Sequence, residues 1–213
     1  MTPSFAQAID PIFLQVLGLL ERLSRGETPS PQDERSRIRA IIDQAEATLG
    51  AGPEWESSKY AIVAYIDEIL VDTAWSGQEW WSNNVLEMEY FKSRSRFEKF
   101  WVRAREATTL ERRDALEVYY VCVVLGFRGL YRDPSLSESL ALSYDLPPDV
   151  DSWARLVTMS IRLGQRRGTL PSPRGEISGA PPSRMKTAAL WGWWLAAILA
   201  AVNVVVLATI WYR

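Results

Sequence analysis

The sequence predicts an all-α protein: a helical body joined through a linker to one C-terminal transmembrane helix. Three observations lead there. Apolar residues recur at three- and four-residue intervals between proline-marked starts and glycine stops, the period of a helix with one buried face. The run Thr187–Tyr212 holds 26 residues without a charged side chain. Between the two lies a stretch rich in Gly, Pro, Ser and Arg, the composition of a spacer. The expected boundaries are 1–163 for the body, 164–186 for the linker and 187–212 for the membrane helix.

The elements follow in order. Asp10 before Pro11 reads as an N-cap with proline in the first helical position, and Ile12, Val16, Leu19, Leu20 and Leu23 share one face until Gly26. Ser30 and Pro31 repeat that start, Asp33 and Glu34 favour the first turn, and Gly50 closes the helix. Its stripe is Ile38, Ile41, Ile42, Ala45 and Leu49. A third helix, from about Trp55 to Trp75, is apolar almost all round and is expected at the centre of the body. A mixed helix runs from about Leu86 to Ala107, with Tyr90, Phe97, Phe100 and Trp101 inward. The segment Leu110–Phe127 contains an apolar run, Val118–Leu125, that would also suit a buried strand. Charged helix formers precede it and no partner strand is evident, so it is read as helix. A last helix, roughly Val150–Gly164, places Val150, Trp153, Val157 and Ile161 on one side.

As a helix, the 26-residue run Thr187–Tyr212 is about 39 Å long, enough to cross a hydrocarbon core of about 30 Å. Trp191, Trp193 and Trp194 stand near one end and Trp211 and Tyr212 near the other, the spacing of two aromatic belts. Arg162, Arg166, Arg167, Arg174, Arg184 and Lys186 precede the run against one acid, Glu176, so the N-terminal side is expected in the cytoplasm and the C-terminus in the periplasm. No signal peptide is expected, because Asp10 and Pro11 interrupt the first apolar stretch and no basic segment precedes it. Tail anchoring implies insertion after the body is made. Within the run, Gly192, Ala196, Ala200 and Asn203 share a face, which favours contact with another membrane helix.

Composition narrows the function. Residues 1–183 carry 21 basic and 26 acidic side chains, a net of −5. That balance argues against nucleic acid as the main partner, because phosphate neutralisation needs clustered Lys and Arg. The basic run before the membrane meets anionic headgroups more readily. Cys122 is the only cysteine, which leaves no disulfide framework and no thiolate metal cluster. There is no histidine, so imidazole acid–base chemistry, His-based triads and most zinc sites are excluded. No cofactor is expected.

The residues that stand out suit partner binding. Asp67 and Glu68 sit inside the most apolar helix, where an unpaired charge is expensive. Adjacent helical residues point about 100° apart, so the two do not converge on one substrate atom. Glu68 and Asp72 share a face, where like charges repel. The acids are expected to pair with Lys59, Arg128 or free helix-terminal amides, or to form an acidic docking groove. The stretch Trp75-Ser76-Gly77-Gln78-Glu79-Trp80-Trp81 sets three tryptophans beside a glycine suited to a left-handed helix end. They either cap the core or form an interface, where Trp is over-represented. Gly126-Phe127-Arg128-Gly129 lacks the spacing of a phosphate loop and reads as a helix end. The partner-binding candidates are Asp67, Glu68, Asp72, Trp75, Gln78, Glu79, Trp80 and Arg128. A hydrolase using Asp67 with Glu79, and a tail-anchored regulator with a groove for an amphipathic helix, are the other classes weighed. The former lacks geometry and the latter any signature residues.

Three segments together carry a resemblance. Tyr60-Ala61-Ile62-Val63-Ala64-Tyr65-Ile66-Asp67-Glu68 is followed by Trp75-Ser76-Gly77-Gln78-Glu79-Trp80, and later by Leu116-Glu117-Val118-Tyr119-Tyr120-Val121-Cys122-Val123-Val124-Leu125-Gly126-Phe127-Arg128-Gly129. In order and spacing this set resembles the DotU/TssL (IcmH) family of bacterial secretion-system proteins, over the body and the tail. The resemblance implies a hook-like cytoplasmic body of two small helical bundles, with no enzymatic activity. It implies an inner-membrane place in a type VI trans-envelope complex, or its type IVB counterpart. The implied partners are an IcmF/TssM-type membrane protein, baseplate components and a second copy through body or membrane helix. By matching position, Asp67 and Glu68 hold the motif's acidic pair, and Gln78 and Glu79 its polar pair. Leu130 departs from the basic residue expected between Gly129 and Tyr131. With Arg213 directly after the membrane helix, the form expected is the short one, without a peptidoglycan-binding domain.

Overall fold

In a computed structural model of the chain, residues 1–164 are described. The expected linker, the membrane helix and its face of Gly192, Ala196, Ala200 and Asn203 lie outside the described residues. Those that are described belong to one compact unit and are helical without strands. The elements are α1 (Pro3–Ser24), α2 (Pro31–Leu49), α3 (Pro53–Asp72), α4 (Gln78–Asn83), α5 (Leu86–Phe91), α6 (Arg96–Ala107), α7 (Asp114–Val124), a 3-10 turn (Gly129–Tyr131), α8 (Pro134–Ser143) and α9 (Val150–Gly164).

The centre is α3. From Tyr60 to Glu68 every residue is buried, and α2, α4, α5, α6 and α7 all pack against it. A helix apolar on all sides can be covered only by neighbours on all sides, and this one is. On one flank α1 lies on α2, closing Phe5, Ile9, Ile12, Val16 and Leu19 into the core. On the other, an aromatic cluster joins α6, α7, the 3-10 turn and α9. Phe100 stacks on Phe127 at 3.8 Å between ring centres, and Trp101 meets Tyr131 at 4.6 Å and Trp153 at 4.9 Å.

Several expectations need correction. The first helix starts at Pro3, not Pro11, and Pro11 stands inside it. Phe5 and Ile9 extend the apolar stripe two turns upstream of Pro11, and their burial outweighs the lost backbone bond. Pro11 and Gln7, whose carbonyl loses its donor, both face solvent. The segment Leu86–Ala107 is two helices rather than one, broken at Lys92, which adopts a left-handed φ of 52°. That break turns Phe97 outward to 42% exposure. Gly77 is not left-handed: with φ −95° it precedes α4. Glycine is required there by space, since a Cβ would lie 2.4 Å from the Trp75 ring. The starts of α2 and α9, and the helical state of Val118–Val124, match the sequence reading.

Among the described residues, α1 alone is long and apolar enough to cross a membrane. In this body its apolar face is spent on the core.

Candidate functional site

The candidate acids hold helix ends. The first backbone N–H groups of a helix have no partner within it, so each start needs an acceptor from elsewhere. Three carboxylates of α3 supply them to other elements. Glu54 accepts the N–H groups of Arg112 and Ala115, both at 2.9 Å, at the start of α7. Asp67 accepts those of Leu86 at 2.8 Å and Glu87 at 2.7 Å, at the start of α5, and the indole N–H of Trp81 at 3.0 Å. Glu68 accepts Arg128 N–H at 2.7 Å and Gly129 N–H at 3.0 Å, fixing the 3-10 turn.

Two more buried acids extend the pattern. Glu87 on α5 accepts the N–H groups of Ser95 and Arg96 at 3.0 and 3.2 Å, where α6 begins, and the Tyr60 hydroxyl at 3.0 Å. Asp114 on α7 accepts Thr2 N–H at 2.6 Å, at the start of α1. Each carboxylate adds negative charge where the helix dipole is positive, so bond and dipole act together.

Burial pushes the Asp67 carboxyl up to about 6, although its three donors favour the charged form. Glu54 is likewise raised by burial, against the pull of Ala115 and Arg112. The Cys122 thiol, enclosed beside the Ala61 carbonyl, is driven well above its ordinary range by burial, which leaves it a poor nucleophile.

The other candidates cluster at helix C-termini. Trp75 donates its indole N–H to the Leu70 carbonyl at 2.9 Å and Gln78 its amide to that of Val71 at 2.7 Å, closing the end of α3. Arg128 turns its guanidinium back on the carbonyls of Val123 and Phe127, at 2.8 and 2.9 Å, closing α7. Asp72 pairs with Arg132, which also reaches Glu68 at 3.0 Å. One cation therefore bridges the two like charges of α3. Glu79 is exposed and Trp80 half-buried against Trp81.

Of the partners expected for the acidic pair, helix-terminal amides are correct. Lys59 pairs with Glu46 instead, and Arg128 meets Glu68 through its backbone rather than its charge. Sequence reasoning missed Glu54, Glu87, Asp114 and Arg132. For Arg132 a signal existed: Glu68 and Asp72 on one face demand a cation. It arrives two residues after Leu130, whose own side chain is buried. Among the described residues no group of three or more acids or thiols is placed to hold a metal.

This arrangement defines a class: a helical scaffold in which Asp67, Glu68, Glu87 and Asp114, all buried, are spent on holding its own turns. The chain belongs to the family of type VI secretion system protein DotU, which it matches over residues 5–213. It is therefore a type VI secretion component. Its fold is similar to that of the cytoplasmic domain of TssL from Acinetobacter baumannii, with a TM-score of 0.59 and 22% identity. That alignment covers 77% of this chain and 100% of the other. No curated protein matches the chain.

Proposed function

We propose that this chain is a non-enzymatic inner-membrane part of the type VI trans-envelope complex, joining an IcmF/TssM-type membrane partner to the cytoplasmic baseplate. The observation that carries the reading is the family match, which runs through the helical body and the uncharged C-terminal stretch alike. Residues 187–212 anchor the tail, the preceding arginines keep the body in the cytoplasm, and the C-terminus enters the periplasm. The face Gly192, Ala196, Ala200 and Asn203 contacts a membrane helix of the partner or of a second copy.

The docking surface proposed on the body is the C-terminal end of α3. There Asp72, Glu79 and Arg128 are exposed, Trp80 is half-buried, and Trp75 and Gln78 fix the backbone beneath. Asp67 and Glu68 serve it by holding the neighbouring turns. A half-buried tryptophan and exposed charged residues are the residue types that supply the anchor and rim of a protein interface. The test is purification of the full chain from its own cells in mild detergent, with companions identified by mass spectrometry. An IcmF-type membrane protein and baseplate components should copurify, and Trp80→Ala should lose the baseplate while the membrane partner stays. Recovery of the chain alone refutes the reading.

A further inference from the structure

The helix α9 is apolar on two sides. Its inner side, Trp153 and Val157, is buried in the aromatic cluster. On its outer side Leu156, Met159 and Leu163 are 57%, 59% and 85% exposed. Positions three and four apart lie on one helical face, so these three form a single stripe. Arg155 and Arg162, seven apart and both exposed, run along its flank. Beside the stripe opens an apolar cleft of about 190 Å³, lined by Ala104, Leu146, Trp153, Leu156 and Val157.

Exposed Leu and Met are common singly, but a stripe on one helix is an unfilled contact. Its chemistry indicates the occupant. Apolar side chains flanked by arginine, in a helix parallel to a surface, suit the headgroup–acyl boundary of an anionic bilayer. The sequence beyond α9 adds Arg166, Arg167, Arg174, Arg184 and Lys186 against Glu176 before the uncharged run at Thr187. Basic residues on both the helix and the following chain match the negative surface of an anionic bilayer.

The geometry points to the outer face of α9 as a membrane-surface docking site. Leu156, Met159 and Leu163 enter the headgroup region of anionic lipid, and Arg155 and Arg162 pair with its phosphates. The outer face of α9 then lies against the bilayer surface. This inference rests on the tail anchor proposed above. Once the tail is inserted, docking is intramolecular, so three shallow side chains and two arginines suffice where a free helix would not bind.

The test places a nitroxide on the full chain in proteoliposomes, through Met159→Cys in one variant and Leu142→Cys, on the exposed surface of α8, in another. Cys122 is buried and stays unlabelled. In bilayers containing phosphatidylglycerol, the label at 159 should gain access to dissolved oxygen and lose access to a water-soluble nickel chelate several-fold relative to 142. Arg155→Glu and Arg162→Glu should each lower the docked population, roughly fivefold per charge removed. A label at 159 as water-exposed as that at 142, in chain that resists carbonate extraction, overturns the inference and leaves the anchor standing. Release of the chain by carbonate overturns the anchor itself, and the inference with it. Spin–spin broadening of equal size in neutral bilayers assigns the face to a second copy, and also overturns the inference.

Discussion

Replacing Asp67 by Ala removes the acceptor of three buried donors: the backbone N–H groups of Leu86 and Glu87 and the indole of Trp81. Each buried donor left unpaired costs about 1–3 kcal/mol, so the direct loss is about 3–9 kcal/mol. Part of it is returned. Burial raises the Asp67 carboxyl from 3.8 to about 6, so keeping it charged at neutral pH costs the wild type roughly 3 kcal/mol. The expected net destabilisation is about 3 kcal/mol, a large share of a domain's stability. The assay is urea denaturation of a chain cut after Arg166, followed by tryptophan fluorescence and far-ultraviolet circular dichroism. Asp72→Ala is the control, because it removes only an exposed ion pair worth about 0–1 kcal/mol. Should Asp67→Ala shift the midpoint no further than Asp72→Ala, the assignment of Asp67 as the acceptor holding α5 is wrong. Amide exchange adds a local reading: protection at Leu86 and Glu87 should fall first.

Other expectations follow from the same geometry. Because the folded state keeps the Asp67 proton up to about pH 6 while the unfolded chain releases it near 3.8, this group's contribution to stability falls as pH rises between those values, then levels off; Asp67→Asn should remove that slope in pH-dependent urea titrations. Gly77→Ala puts a methyl 2.4 Å from the Trp75 ring and should cost about 1–3 kcal/mol through overpacking, with a red shift in tryptophan emission; an unshifted midpoint and spectrum would contradict the close approach. Arg132→Ala leaves Glu68 and Asp72 facing each other and should cost about 0.5–1 kcal/mol, with Arg132→Lys restoring part of it. Deleting residues 187–213 should leave a soluble, folded body that no longer sediments with membranes; an insoluble or membrane-bound product counts against the tail anchor.

How far the fold was legible depended on where each helix keeps its cap. The start of α2 carries its own acceptor, Ser30 Oγ taking the N–H of Asp33, and α9 does the same with Asp149 taking that of Ser152; the first start was legible to the residue from its cap, the second roughly from its apolar stripe. The start of α8 holds the same signal, Asp133 before Pro134, which went unread. For α1, α5, α6 and α7 the residue at the cap position makes no capping bond, and the acceptor comes from Asp114, Asp67, Glu87 and Glu54. An acceptor on another helix leaves no trace beside the start it serves. For that reason the beginning of α1 and the break between α5 and α6 were misread. The candidate site was legible in its residues but not in their use. An acid in an apolar helix announces that it has a partner, and only the packing shows that the partner is a backbone amide. The tryptophans behaved similarly: Trp81 is core, while Trp75 uses its N–H on the end of α3.

The bond between Thr2 and Asp114 spans 112 residues of sequence. A ribosome must therefore deliver α7 before α1 can be finished at its leading end. Until then the nascent chain presents a 22-residue apolar helix, Pro3–Ser24, that satisfies the length and composition of a membrane span. The order of synthesis thus separates α1 from its cover: among the described helices it is the one long and apolar enough to cross a membrane, and it is made before the helices that bury its apolar face. Its safe disposal depends on the speed with which α2 and α3 follow and cover it. Slow translation through residues 25–72 should raise mistargeting of the chain without altering a single contact in the protein that results.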